Sequence, residues 1–348
     1  MSANTMRAAR FERADGRLSV VKDMPVPKPG PGELLVRVEA CGICLSDVHM
    51  IDGTLPCPLE EVTPGHEPAG TIARTGPDVP YWQPGQRVVI APGRPCGSCR
   101  HCGDPLGCLA PQTMGQNWDG AWAEYVITLS STLVEVPDGV PIEQAAICAD
   151  AVATPFSALL DRGGLRPGET VGVWGVGGLG VHAVQTARLA GASLIVAVDT
   201  LDAAVQRALE VGADHALNPL TADVREEVLR LTDGEGLDLA AELSGVGNAL
   251  DQAVSCLGRY GRAVAIGMSQ EPIRLTENTI SFGYFNHAVL GHDGYTRQHL
   301  TRIMRLLASG RLDLSRSVSD VLPLEDVGLG VERLRTKEGD PVRIVIKP

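Results

Sequence analysis

Residues 170–191 read TVGVWGVGGLGVHAVQTARLAG. TVGVWG (170–175) has the length and apolar character of a buried strand, and LGVHAVQTARLAG (179–191) reads as a helix. Between them GVGGLG (175–180) forms a G-x-G-x-x-G pattern at a strand end that opens a helix. In a chain with 40 glycines the pattern alone says little, so its position carries the argument. Gly175 permits the turn, Gly177 lets a pyrophosphate approach the backbone, and Gly180 lets the helix pack on the sheet. The free N–H groups at the helix start favour an anion. Gly175, Val176, Gly177, Gly178, Leu179 and Gly180 are therefore expected to hold a dinucleotide. The next strand, LIVAVD (194–199), ends in Asp199, placed to accept from a ribose 2′-OH and to repel a 2′-phosphate. Thr200, Leu201 and Asp202 follow without an arginine, so NAD is expected over NADP.

The alternation continues outward. LDAAVQRALEVG (201–212) reads as a helix, and GLDLAAELSG (236–245), RAVAIG (262–267) and HAVLG (287–291) as strands. This predicts an α/β domain with a doubly wound parallel sheet, the Rossmann arrangement, over 156–290. ELSGVG (242–247) and IGMSQ (266–270) fall at strand ends where a dinucleotide crosses such a sheet, which adds Ile266 to the expected contacts. Upstream, IEQAAICADAVATPFSALLDRG (142–163) reads as one helix. Before it the texture is β-rich, with LLVRVEA (34–40), RVVIAP (87–92) and EYVITL (124–129) separated by Pro/Gly stretches. After Gly291 the tail shows one helix, QHLTRIMRLLASG, and a last strand, PVRIVIKP. A length of 348 residues suits two domains. The second is expected to join 1–155 to 291–348.

A net charge of −12 argues against a nucleic-acid or anionic-membrane partner, either of which would need a basic face. No apolar run is long enough for a membrane span, and MSANTMRAARFERADGR lacks a signal core. A cytoplasmic protein is expected. Its nine cysteines then read as thiols or metal ligands rather than disulfides.

CGSCRHCGDPLGC holds Cys96, Cys99, Cys102 and Cys108. Four thiolates close a tetrahedral shell and leave no position for water, which is the signature of structural zinc. A catalytic zinc instead needs three ligands and an open position. Cys44, in CGICLSDVHM (41–50), and His66, in PGHEPAG (64–70), are candidates. For the third, CADAVAT (148–154) offers Cys148 and Asp150. Asp150 and Thr154 stand four apart on one helix face, and Cys148 points elsewhere.

GICLSDVH, PGHEPAG, the cysteine lobe, GAWAEY, TPFSAL, GVGGLG, VAVD and the terminal VRIVIKP together resemble the zinc-dependent medium-chain alcohol dehydrogenases over nearly the whole chain. The resemblance implies a GroES-like catalytic domain split around an inserted Rossmann domain. It implies a homodimer or homotetramer acting on a small-molecule alcohol or carbonyl. It implies that Cys44, His66 and Asp150 hold catalytic zinc, with Thr154 against the nicotinamide. Glu67 matches a residue that approaches the metal transiently. Ser46 and His49 match a proton relay, Asp47 an acid that orients His66, and Arg343 a partner of the pyrophosphate. Three features depart from the family, the third being that Cys57 lies in a loop without a match to it. The interval Cys102–Cys108 is shorter than its common spacing, and Leu45 stands where some members carry a basic residue. Cys41 and Cys57 receive no role.

The expected activity is reversible hydride transfer between an alcohol and NAD, giving an aldehyde or ketone. One rival is a zinc-free NADPH quinone or enone reductase of the same superfamily, which the ligand set opposes. The other is a non-catalytic nucleotide-sensing protein, which the Ser46–His49 relay opposes. Met50, Trp118, Trp122 and Phe156 are candidate pocket walls. His182, His215, His287, His292 and His299 read as packing or surface residues.

Overall fold

A computed structural model describes residues 5–103 and 106–348. The chain forms two compact units, one from Met1–Ala153 with Tyr295–Pro348 and the other from Thr154–Gly294.

The first unit is β-rich. Its largest sheet runs Leu133–Glu135, Arg87–Ile90, Glu67–Thr75, Glu33–Ile43, Ile344–Lys347, Asp320–Pro323, and Tyr125–Leu129 also pairs with Glu33–Ile43. The last strand of the chain lies antiparallel to Glu33–Ile43, with Val345 opposite Gly42, so the C-terminus completes the sheet begun near the N-terminus. Val36, Ile43, Ile72, Ile90, Trp122, Ile344 and Ile346 are buried together in its core. β-Branched residues at these positions suit a pleated, covered surface. A smaller sheet orders Arg17–Pro25, Thr5–Glu12 and Glu61–Val62.

Two sequence expectations are corrected in this unit. The tail carries a second helix, Val327–Thr336, and a strand, Asp320–Pro323, parallel to Ile344–Lys347. Gly328 and Gly330 lower helix propensity there and hid it. Gly330 packs close, because a Cβ at that position would stand 2.6 Å from Cδ1 of Ile43 and would make that side chain shift. The stretch 142–163 is also not one α-helix. It runs as Ile142–Ile147, a π-helical turn Cys148–Val152, Ala153–Ser157, and a second π turn Ala158–Arg162. Composition carries no signal for such widenings, which cluster at functional positions.

The second unit holds a six-stranded, wholly parallel sheet in the order His215–Leu217, Leu194–Val198, Thr170–Trp174, Leu237–Glu242, Leu257–Ala265, Ala288–Gly291. The order reverses between Thr170–Trp174 and Leu237–Glu242, so a crevice opens at their carboxyl ends. Val196, Val198, Ala240 and Ala263 are buried from both sides, as the near-continuous apolar runs of these strands require. No helix among the described residues is long and apolar enough to cross a membrane.

Candidate metal centres and nucleotide loop

Within the β-rich unit, Cys44, His66, Glu67 and Asp150 bring one ligand atom each within 4.8 Å of one another. Three pieces of local structure deliver them. Cys44 ends the strand Glu33–Ile43 and caps the short helix Leu45–Ile51; its backbone N–H donates to Oδ2 of Asp47 at 2.9 Å. Gly65, at φ +96°, turns the chain so that His66 leads into the next strand, which begins at Glu67. A Cβ on Gly65 would lie 2.4 Å from Cδ1 of Trp122, so no other residue fits that turn without displacing the ring. Asp150 comes from the π turn.

The distances suit a divalent cation. Cys44 Sγ lies 3.1 Å from Asp150 Oδ2, and His66 Nε2 lies 3.7 Å from the same oxygen. Mixed S, N and O ligands around a tetrahedral zinc stand about 3.4–3.6 Å apart. Asp47, 1 % exposed, holds Nδ1 of His66 at 3.1 Å, which turns Nε2 toward Cys44 and Asp150. A carboxylate behind a metal-binding imidazole fixes its ring and tautomer in this way. Burial lowers the His66 pKa, but Asp47 overrides it, and the net shift is well upward. Burial, then Asp150, push the Cys44 thiol up. A thiol so placed becomes a thiolate when a cation repays the loss of its proton.

Glu67 is fully buried, and neither of its carboxylate oxygens has a hydrogen bond. Its ionic partner among the described residues is Arg343, 1 % exposed, whose Nη2 lies 3.2 Å from Glu67 Oε1 and 3.8 Å from Asp150 Oδ2. Arg343 also donates to the Ile43 carbonyl at 3.1 Å. Burial pushes the Glu67 carboxyl up to about 8 against the pull of Arg343.

Ser46 and His49 share one face of the helix Leu45–Ile51. Ser46 Oγ is 3.4 Å from Nε2 of His66. His49 Nδ1 is buried and without a hydrogen-bond partner. Leu45 is exposed. Cys148 is drawn away from the cluster, its thiol donating to the Gln144 carbonyl at 3.1 Å. Cys41 is a fully buried thiol in the core, and Cys57 packs beside Phe11, Met50 and Val62. Met50 and Trp122 are core residues too, and Trp118 stacks under Arg94 at 3.8 Å.

Cys96, Cys99, Cys102 and Cys108 form a second cluster. Sγ–Sγ separations are 3.6 Å for Cys96–Cys102, 3.5 Å for Cys99–Cys102 and 3.9 Å for Cys99–Cys108. Four thiolates at a Zn–S distance of about 2.3 Å stand about 3.8 Å apart in a tetrahedron. The Cys96 N–H points at Cys108 Sγ at 3.2 Å and the Leu109 N–H at Cys99 Sγ at 3.4 Å. Asp104 and Pro105, inside the shortened interval, lie outside the described residues.

In the parallel-sheet unit, the strand Thr170–Trp174 leads into the glycine loop, and the helix Gly180–Leu189 follows. Gly175 has φ +84°, and a Cβ on it would press on Ser244 at 2.9 Å. A Cβ on Gly180 would meet the Gly175 carbonyl oxygen at 1.8 Å, whereas one on Gly177 would find open space. The three glycines therefore serve turn, open approach and close packing. Asp199 uses both carboxylate oxygens on backbone, accepting from Val176 N–H at 2.7 Å and Leu201 N–H at 3.0 Å. Arg207, which sequence reading passed over, donates to the Val176 carbonyl at 2.9 Å. No motif announces that contact across 31 residues. Ile266 donates its N–H to the Glu242 carbonyl at 2.8 Å, and Glu242 in turn accepts from Ser244 and Gly245 N–H groups. Thr154, on Ala153–Ser157, is the first residue of this unit and is buried.

Known proteins share both halves. Residues 30–138 match the family model of the alcohol dehydrogenase GroES-like domain, and residues 178–309 match that of the zinc-binding dehydrogenases. An alcohol dehydrogenase of Cupriavidus necator is 31% identical, with 99% of each chain covered. The solved alcohol dehydrogenase TADH from Thermus sp. ATN1 superposes with a TM-score of 0.89 at 30% identity, covering 98% of this chain and 99% of that one. A protein of Sinorhizobium meliloti 1021 described as a zinc-binding dehydrogenase, solved with NADP bound, gives 0.90 at 29% identity and covers 99% of both. End-to-end likeness of this kind, on top of two metal-ready clusters and a dinucleotide loop, makes the chain an oxidoreductase-type member of the zinc-type medium-chain dehydrogenase/reductase family.

Proposed function

We propose that this protein is a zinc-dependent alcohol dehydrogenase that interconverts an alcohol and the corresponding aldehyde or ketone, with NAD as hydride carrier. The observation that carries the reading is the convergence of Cys44, His66 and Asp150, with Asp47 behind His66. These residues would hold the catalytic zinc, and the four-cysteine lobe a structural one. Zinc bound there supplies a Lewis acid that lowers the pKa of a coordinated hydroxyl. The chain's own groups then handle the proton. Ser46 Oγ, beside His66, would take the substrate hydroxyl proton as it gives up its own, and His49, on the same helix face with its buried Nδ1 unpaired, would accept that proton. Thr154 and Ile266 are assigned to the nicotinamide end, and Arg343 to the pyrophosphate as well as to Glu67. An NAD⁺-reduction screen over primary, secondary and polyol alcohols, with metal analysis on the same sample, tests the reading. Turnover in protein free of zinc would favour the reductase rival instead.

The fixed Asp199 carboxylate supports NAD over NADP. A 2′-phosphate would be forced against an anion that backbone N–H groups hold in place. Like charges about 4 Å apart near a surface repel by about 4 kcal/mol. We expect kcat/KM to favour NAD⁺ at least about tenfold, and Asp199→Gly to narrow that ratio; a parent preference for NADP⁺ would reverse the assignment.

The reading includes a homo-oligomer. The helix Thr279–Phe285 has no buried residue, and Ile273, Ile280 and Tyr284 are exposed around it. Beside it, the strand Ala288–Gly291 is an edge of the parallel sheet. An apolar patch next to an open strand edge suits a second copy of the chain. Ile280→Glu with Tyr284→Glu is expected to shift the protein to monomer by light scattering. An unchanged mass would place the interface elsewhere.

A further inference from the structure

We infer that Tyr295 is a positioning residue that keeps Asp150 in the metal-binding set by holding the carbonyl of Ala149. The inference rests on the reading of Cys44, His66 and Asp150 as zinc ligands.

Two ligand types compete on one short stretch of chain. Cys148 offers a thiol, the softer ligand, and Asp150 a carboxylate. In an unbroken α-helix two residues apart means directions about 200° apart, so only one of them can face the cluster. The chain settles the choice with the π turn Cys148–Val152. In it the Cys148 thiol turns back to the Gln144 carbonyl, while the Asp150 carboxylate reaches Cys44 at 3.1 Å. A π turn is rare and less favourable than the α-helix around it, so something outside must fix it.

Tyr295 supplies that brace. Its phenol O–H donates to the Ala149 carbonyl, the peptide oxygen directly ahead of Asp150. Tyr295 is itself held, because it immediately precedes Thr296, the N-cap of the helix Arg297–Ala308. The capping box of Thr296 and His299 fixes the start of that helix, and Leu300, Ile303 and Met304 bury its inner face. The contact spans 146 residues and joins the returning C-terminal segment to the ligand turn. Rotation of the 149–150 peptide would break this bond and swing the carboxylate away from Cys44 and His66.

Tyr295→Phe keeps the ring and removes only the donor. Zinc-loaded parent and variant are challenged with a chelator, and zinc release is followed alongside circular dichroism. Groups that orient a metal ligand are worth about 10- to 100-fold in metal affinity. Release from the Cys44 site is expected to accelerate within that range, while the four-cysteine lobe loses its metal at the parent rate. The visible spectrum of the cobalt-substituted variant is expected to shift, because the carboxylate no longer sits in one geometry. Parent-like release together with a parent-like cobalt spectrum would overturn the inference. Asp150→Asn separates this from the underlying reading. If it sheds the metal and Tyr295→Phe does not, only the role of Tyr295 fails. If Asp150→Asn retains zinc at parent affinity, the ligand assignment fails and the inference falls with it.

Discussion

Cys44→Ser is expected to lower kcat/KM for alcohol oxidation by about 10³-fold or more while NADH still binds. Lewis-acid assistance is worth several kcal/mol, and each 1.36 kcal/mol is about tenfold in rate. A serine hydroxyl cannot replace the thiolate, because it does not ionise under these conditions. The helix start survives, since the bond there runs from the backbone N–H of residue 44 to Asp47. The loss is therefore chemical rather than structural. The glycine loop lies in the other compact unit, so NADH titration by fluorescence should give a parent-like Kd. Zinc content should fall from about two to about one per chain, whereas Cys96→Ser should remove the other zinc and leave turnover largely intact. Parent-like rates in Cys44→Ser would sink the zinc mechanism.

The parts of this molecule readable from sequence were those whose chemistry is local. The glycine loop announces itself because turn, pyrophosphate approach and helix packing must fall within six consecutive residues, and Asp199 follows at the end of the next strand. The cysteine lobe does so because four ligands of one metal must share a short loop. Ser46, Asp47 and His49 came as one package because one helical turn and its cap hold them. What escaped depends on contacts across the chain. Tyr295 meets Ala149 over 146 residues, and Arg207 meets Val176 over 31. The widening at Cys148–Val152 left no trace in a stretch whose composition is that of any helix. The helix Val327–Thr336 was masked by Gly328 and Gly330, of which Gly330 packs close against Ile43. Arg343 illustrates a different limit. Its motif suggested a phosphate, and only the sheet register, which sets Val345 opposite Gly42 and Gly42 opposite Glu67, brings it to a buried carboxylate.

That last placement leads to the largest expected effect on stability. At pH 9, where Glu67 is ionised, Arg343→Met is expected to cost about 3–5 kcal/mol, the range found when one partner of a buried ion pair is removed. Methionine fills much of the volume of the arginine stem, so the cost comes from charge rather than a cavity. With zinc bound, the cluster counts Cys44, Glu67 and Asp150 as three negative charges against two on the metal and one on Arg343. The guanidinium is thus what lets a third acidic side chain, that of Glu67, sit beside a full ligand set without hydrogen bonds of its own. Arg343→Met with Glu67→Gln should recover most of the loss, because the charge left unpaired by the first change is then absent. The pH dependence has a definite sign. In the zinc-free protein, burial already holds the folded-state pKa of Glu67 at about 8, above its ordinary 4.5. A carboxyl raised in this way makes stability fall as pH rises between the two values. Without Arg343 the folded-state value moves higher still, so the variant keeps losing stability above pH 8 after the parent has levelled. Denaturant unfolding at pH 7 and pH 9 should therefore show the gap widening at the higher pH. A single variant within about 0.5 kcal/mol of the parent at both pH values would mean that the pair contributes nothing to holding this cluster together.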